Sequence, residues 1–284
     1  MPIILRWLLR LGPTNPIAVR LVQNGSRRTR HLYIRSVYLA VLIVVLLWLI
    51  LALSAGGGAL SVRQLASNAA DAFTKVAYLQ IFLICVLSPV FMGGAIAQEA
   101  NPRTWEVLLT TPLTAAEIVL GNLLGRLFFV LALLTCSMPL FALTQYFGGV
   151  PGSAILTSYL IAGCTALTVG ALAIALSVSR LVGKRAFFVF YVAIISYLGV
   201  TLAIDGGLRQ AGMGAGPYGQ GVTPMTALNP FLCLRALLNP STYPTAAAGS
   251  QTGPMAWLLE TPVKTFCVGS ALLSLVFMAA STLT

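Results

Sequence analysis

QEANPRTWEVLLTTPLTAAEIVLGNLLGR runs from Gln98 to Arg126. It holds Glu99, Glu106 and Glu117, three of the six carboxylates in a chain of 284 residues. Long apolar runs flank it on both sides. The tetrad Thr114 to Glu117, TAAE, has the spacing of a capping box, in which the Thr hydroxyl and the Glu carboxylate each satisfy an exposed backbone N–H. A helix therefore begins there and continues into the next apolar run. Upstream, NPRTWEVLLTTP places Trp105, Leu108 and Leu109 on one helical face and Arg103 and Glu106 on another. That pattern predicts a short amphipathic helix starting near Pro102 and ending before Pro112. Gly121 and Gly125 lie four apart, on one face of the second helix, and permit close approach of a neighbouring helix.

The rest of the chain explains why such a hydrophilic island stands out. It is 58% hydrophobic and 8% charged, with a mean hydropathy of +0.92. Soluble domains are about one-quarter charged, and one soluble core could not bury so much apolar surface, so the solvent is lipid. The expected fold is an all-α membrane protein with six transmembrane helices. The spans read approximately as Val37–Ala55, Tyr78–Ala97, Ile118–Phe147, Ile155–Ser177, Ala186–Ile204 and Pro262–Ala280. Each is long enough for a hydrocarbon core of ~30 Å, which takes about 20 residues. The third is too long for one crossing, so its first turns emerge from the membrane.

The formal net charge is +11, a sign that in a soluble protein would suggest nucleic acid. Here the cations cluster beside apolar runs and report topology instead. Arg6, Arg10, Arg20, Arg27, Arg28, Arg30 and Arg35 precede the first span. Arg103 and Arg126 follow the second, and Arg180, Lys184 and Arg185 follow the fourth, making twelve on one side. The other side has five: Arg63, Lys75, Arg209, Arg235 and Lys264. The richer side is cytoplasmic by the positive-inside rule, so both termini are inside. Asn15, Pro16 and Arg20, with Arg27, Arg28, Arg30 and Arg35, then act as the cytoplasmic anchor. No nucleic-acid partner is expected.

Residues 1–36 read as a cytoplasmic N-terminal segment, and 37–284 as the six-span domain, with a polar loop at 98–117 and a long outer loop at 206–261. MPIILRWLLRL at the start is too short to span. Its apolar face and its arginines four apart suit an amphipathic helix lying in the headgroup region. A signal peptide fails for want of a small-residue cleavage site. In the outer loop, DGGLRQAGMGAGPYGQGV is Gly-rich and reads as mobile. TALNPFLCLRALLN reads as a short helix dipping into the outer leaflet or forming a lid. The last apolar run ends in AASTLT with no polar anchor after it, which reads as a chain cut short.

The chemistry of several enzyme classes is missing. No G-x4-G-K-[ST] phosphate loop occurs, and VGKR at Val182 lacks its first Gly and its Ser/Thr. The one histidine, His31, lies in the basic stretch RRTRHLYIR, whose cations oppose its protonation and make it a poor base, and no protease pattern is present. The five cysteines have no metal-site spacing and read as apolar packing residues, with Cys233 an outlier in a loop. No catalytic, cofactor-binding or metal-binding residue is expected. An ion-coupled carrier would place ionisable groups near the bilayer midplane, and these spans carry almost none.

The stretch from Glu99 to Gly125 resembles the signature of ABC-2 type permeases, the membrane subunits of a large class of ABC transporters. That signature has a Glu, a Thr-Leu-Glu-like helix, Leu-Leu, Thr/Ser-Pro-Leu-Ser, Glu-Ile and Gly-Lys. Its first Glu falls on Glu99, its helix on Thr104, Trp105, Glu106, Leu108 and Leu109, and its turn on Pro112 and Leu113. NPIAVR, Asn15 to Arg20, resembles the Asn-Pro segment these permeases carry before span one. Two positions depart: the family's Gly-Lys is Gly121-Asn122 here, and its Gly before the Thr is Arg103. Arg126, one turn on, is the candidate for the missing cationic role.

The resemblance implies a non-enzymatic permease subunit of an ATP-driven exporter moving an unidentified substrate, in a family whose systems mostly export. The 98–117 loop would be a coupling helix seated in a groove of an ATP-binding cassette subunit. Trp105, Leu108 and Leu109 would make apolar contacts, and Arg103 and Glu106 rim ion pairs. Glu99 and Glu117 would fix the ends of the two helices, with Thr104, Pro112 and Thr114 completing the surface. ATP and Mg would sit on that partner, and a second permease copy or homologue would complete a dimer in a bacterial-type plasma (inner) membrane. The alternatives are an ion-coupled secondary carrier and a non-transporting membrane scaffold.

Overall fold

The structure, a computed structural model, describes residues 15–26, 29–54, 61–92, 114–146, 150–178, 186–250 and 253–283. The described helices are α1 (Pro16–Ser26), α2 (Thr29–Ser54), α3 (Val62–Met92), α4 (Ala115–Tyr146), α5 (Gly152–Val178), α6 (Ala186–Gln210), α7 (Pro230–Leu238), α8 (Pro254–Glu260) and α9 (Pro262–Leu283). Two 3-10 turns, Pro217–Gly219 and Pro224–Ala227, lie between α6 and α7. No strand occurs among the described residues. Six helices, α2 to α6 and α9, are long and apolar enough to cross a membrane. Only helices satisfy every backbone group within one segment in lipid, and this fixes the architecture.

The six are unequal. The most apolar windows of α3, α4 and α5 are 50% buried, against 22% for α2, α6 and α9. The first three form the centre and the others line it. Phe73, Ile81, Val130, Leu133, Phe141, Ile161 and Ile174 fill the core. Phe141 stands edge-on to Phe73 and to Tyr159, with ring centroids 5.4 Å apart in each case. One polar knot sits within this apolar interior. Tyr38 of α2 and Gln80 of α3 donate to Ser137 Oγ of α4, at 3.4 and 3.2 Å. Tyr159 of α5 bonds the same oxygen at 2.9 Å. Uncharged side chains thus join four spans where each would otherwise face hydrocarbon without a partner.

Two helices begin earlier than hydropathy predicts. α2 starts at Thr29 rather than Val37, and α3 at Val62 rather than Tyr78. The early start of α3 has a local cause. Ser61 Oγ accepts from Gln64 N–H at 3.3 Å while Gln64 Oε1 accepts from Ser61 N–H at 3.0 Å, a second capping box. Ala69, Ala72, Phe73 and Val76 then bury one face of the added turns, while Asp71 and Lys75 pair at 2.9 Å on the exposed one.

The 206–261 segment needs correction. α6 continues through Gly206 and Gly207 to Gln210, so the loop starts later. The Gly-rich run is a folded turn rather than a mobile loop. Ala215 N–H bonds Val222 O at 2.8 Å, Gly221 N–H bonds Ala215 O at 2.7 Å, and Val222 N–H bonds Pro244 O at 2.9 Å. A Cβ at Gly221 would run into the carbonyl oxygens of Ala215 and Pro244. That glycine is there for close approach of backbones, not for freedom. The expected short helix is α7, and Cys233 within it is fully buried against the core rather than lying in a loop.

This cap is centred on Asp205, which is 0% exposed. Its carboxylate accepts from Thr223 Oγ1 and from Tyr243 Oη at 2.7 Å each and pairs with Arg209 Nε at 3.0 Å. The guanidinium groups of Arg209 and Arg235 lie 5.4 and 5.0 Å from the centre of the Tyr243 ring.

Candidate functional site

The end of the bundle opposite the cap gathers α1, the start of α2, the end of α3 and the start of α4. The last two flank the 93–113 stretch. Glu99, Arg103, Thr104, Trp105, Glu106, Leu108, Leu109 and Pro112 lie outside the described residues, as do Arg27, Arg28 and the 1–11 amphipathic segment. The structure describes the frame around them.

α4 begins with the capping box. Thr114 N–H donates to Glu117 Oε2 at 2.8 Å, and Glu117 N–H donates to Thr114 Oγ1 at 3.3 Å. The Glu117 side chain thus closes the first turn of the helix that leaves the 93–113 stretch, and Glu117 is only 6% exposed.

Asn15 links this point to the N-terminal segment. Its Oδ1 accepts from Ile17 N–H at 3.0 Å and Ala18 N–H at 3.4 Å, capping α1, while its Nδ2 donates to Glu117 O at 2.8 Å. Pro16 follows at the first helical position, where its missing N–H costs nothing. α1 then lies along α4. A Cβ at Gly121 would collide with Asn15 Oδ1 and stand 2.9 Å from Ile17 Cβ. One at Gly125 would stand 3.0 Å from Leu21 Cβ and 3.2 Å from Ala18 Cα. On the α1 side, a Cβ at Gly25 would enter the Phe129 ring. The helix that Gly121 and Gly125 admit is therefore α1, not another span. Arg20 is on the exposed face of α1, and Arg35 is half-buried on α2.

Two further contacts close the frame. Arg126 Nη1 donates to Phe91 O at 2.6 Å. A cation thus meets the last carbonyls of α3, where the helix dipole favours it. His31 at the start of α2 stacks between Phe91 and Phe129, with ring centroids 5.7 and 4.5 Å apart. Both banks of the 93–113 stretch are thereby tied to each other and to α1.

Asn15 has a counterpart in the cap that the sequence reading missed. Asn229-Pro230 repeats the arrangement: Asn229 Oδ1 accepts from Phe231 N–H at 2.9 Å and caps α7, while Nδ2 donates to Thr201 Oγ1 of α6 at 2.7 Å. The available signal was the Asn-Pro pair before an apolar run, at Asn15 and again at Asn229. Among the described residues, no group of three or more His, Cys, Asp or Glu could hold a metal ion.

Six apolar helices, four of them joined by an uncharged polar knot, with a folded cap at one end and a clamped joint at the other, define a multi-pass α-helical membrane protein. The family described as ABC-2 family transporter protein matches residues 28–283, nearly the whole chain, and the chain belongs to that family. A search of curated proteins finds no match.

Proposed function

We propose that this chain is the permease subunit of an ATP-driven exporter that takes its energy from a separate ATP-binding cassette subunit. The carrying observation is the joint. α3 and α4 leave the two ends of the 93–113 stretch and are tied together through Arg126 and Phe91. α1 is fastened to the same place through Asn15. A partner gripping that stretch would pull on both spans at once.

The docking surface in this reading is 98–117, with Trp105, Leu108 and Leu109 as its apolar face, Arg103 and Glu106 at its rim, and Glu99, Thr104, Pro112, Thr114 and Glu117 shaping its ends. ATP and Mg sit on the partner, in keeping with a sequence that has no phosphate loop. The cation bias supports a cytoplasmic joint and an outer cap. Export is the direction the resemblance implies, from a bacterial-type plasma membrane. A second copy or homologue pairs with this one to complete the transporter.

The test is hydrolysis. The purified chain alone is expected to give no ATPase activity above background, and activity is expected to appear when the cassette subunit is reconstituted with it. Robust turnover by a verified single-subunit sample would overturn the reading.

A further inference from the structure

A cavity of about 520 Å³ lies between α5, α6 and α9, with the cap as its roof. Its walls include Thr165 to Leu172 on α5, Ala193 to Leu198 on α6 and Phe266 to Phe277 on α9, with Ala227, Leu228 and Pro230 above. The volume falls in the range of small-molecule sites, about 300–1,000 Å³. No lining residue is charged. The hydroxyls of Thr165 and Thr168 already bond Ile161 O and Cys164 O, at 2.7 and 2.9 Å.

Two tyrosines tie α6 to its neighbours. Tyr191 Oη donates to Val86 O of α3 at 3.0 Å, and Tyr197 Oη donates to Leu228 O of the cap. Tyr197 also lines the cavity. Tyr197, Leu228 and Leu273, all in its lining, are 44%, 45% and 38% exposed, so the cavity has a mouth on the lipid-facing side. From Phe266 to Phe277 the α9 wall rises about 16 Å at 1.5 Å per residue. One leaflet of hydrocarbon is about 15 Å deep, half of ~30 Å.

We propose that this cavity binds a single hydrocarbon chain of a lipid or lipid-like molecule, entering from the leaflet on the cap side. Depth, absence of charge and a lateral mouth fit a chain, and the lining offers no charge to hold an ionic headgroup. The proposal does not depend on ATP-driven transport.

The test uses the full chain in nanodiscs of phosphatidylcholine bearing a diazirine in the middle of one acyl chain. Irradiation is expected to label Thr168, Leu172 and Leu273, and a headgroup diazirine is expected to leave them unlabelled. Gly269 lines the cavity, and a Cβ there would meet nothing within 4 Å. Gly269→Trp should therefore fill the space and reduce cavity labelling to the level of the headgroup probe. Labelling of the exposed α2 face at Leu47 and Leu51 serves as the internal standard and should persist. Gly199→Trp, at another glycine with open space outside the lining, should change neither. Cavity labelling unchanged by Gly269→Trp, or adducts confined to exposed faces, would overturn the proposal. A further arm identifies the source of the chain and alone depends on the reading above. With the cassette subunit present, Mg and ATP should leave labelling unchanged for a resident bilayer lipid and lower it for a chain that is cargo. Either result retains the site.

Discussion

Asn15 uses one side-chain amide to cap α1 and to hold the first turn of α4. Asn15→Ala removes both, at a cost of about 0.5–2 kcal/mol for the cap alone. Asn15→Asp keeps the cap but loses the donor to Glu117 O, and should fall between parent and Ala in thermal midpoint. Gly121→Ala forces a methyl against the same residue and should cost about 1–3 kcal/mol, as overpacking does. Gly125→Ala, with its nearest neighbours 3.0 Å away or more, should cost less. Fluorescence-monitored unfolding in detergent checks the order, and equal midpoints for Gly121→Ala and parent would contradict it. The Thr114–Glu117 box was legible because its partners are three residues apart. The spacing of Gly121 and Gly125 announced a close neighbour but could not name it. Asn15 and Glu117 are 102 residues apart, and no local pattern encodes such a bond.

At the scale of elements, the cap rests on one buried carboxylate. Asp205→Ala strands Arg209, Thr223 and Tyr243, and losing one partner of a buried pair costs about 3–5 kcal/mol. Proteolysis in the 211–253 region should accelerate in this variant, with the spans left intact. Burial, first, and the bond to Asp205 push the Tyr243 phenol from 10.0 up to about 12, against an opposing bond from Thr226. A proton held more tightly in the folded state stabilises it fully below the unfolded value of 10.0, and that contribution is lost as pH rises towards about 12. The thermal midpoint of the parent should therefore fall more steeply across that window than that of Tyr243→Phe. Parallel curves would contradict the assignment. Composition misread this cap because glycine serves two purposes. Gly221 permits backbones to touch, and in a sequence that cannot be distinguished from a glycine of a mobile loop.

For the whole molecule, the six spans were legible because lipid demands about 20 apolar residues per crossing. The extra turns of α3 were not, because their polar residues resemble loop, and only the Ser61–Gln64 cap betrays them. The proposed orientation predicts that, in a cysteine-free background, an impermeant thiol reagent outside intact cells labels Met213→Cys, at a position 68% exposed in the cap, but not Asn101→Cys. The reverse pattern would contradict it. The central claim is that the island between α3 and α4 docks a cassette subunit and moves the spans through the joint. Capture of that subunit by the chain, at matched membrane levels, tests it most directly. A buried Trp anchor contributes about 2 kcal/mol or more, so Trp105→Ala should weaken capture about 30-fold. An exposed rim charge contributes about 0–1 kcal/mol, so Arg103→Ala should weaken it by about fivefold at most. Capture by Trp105→Ala equal to that by the parent would contradict the account.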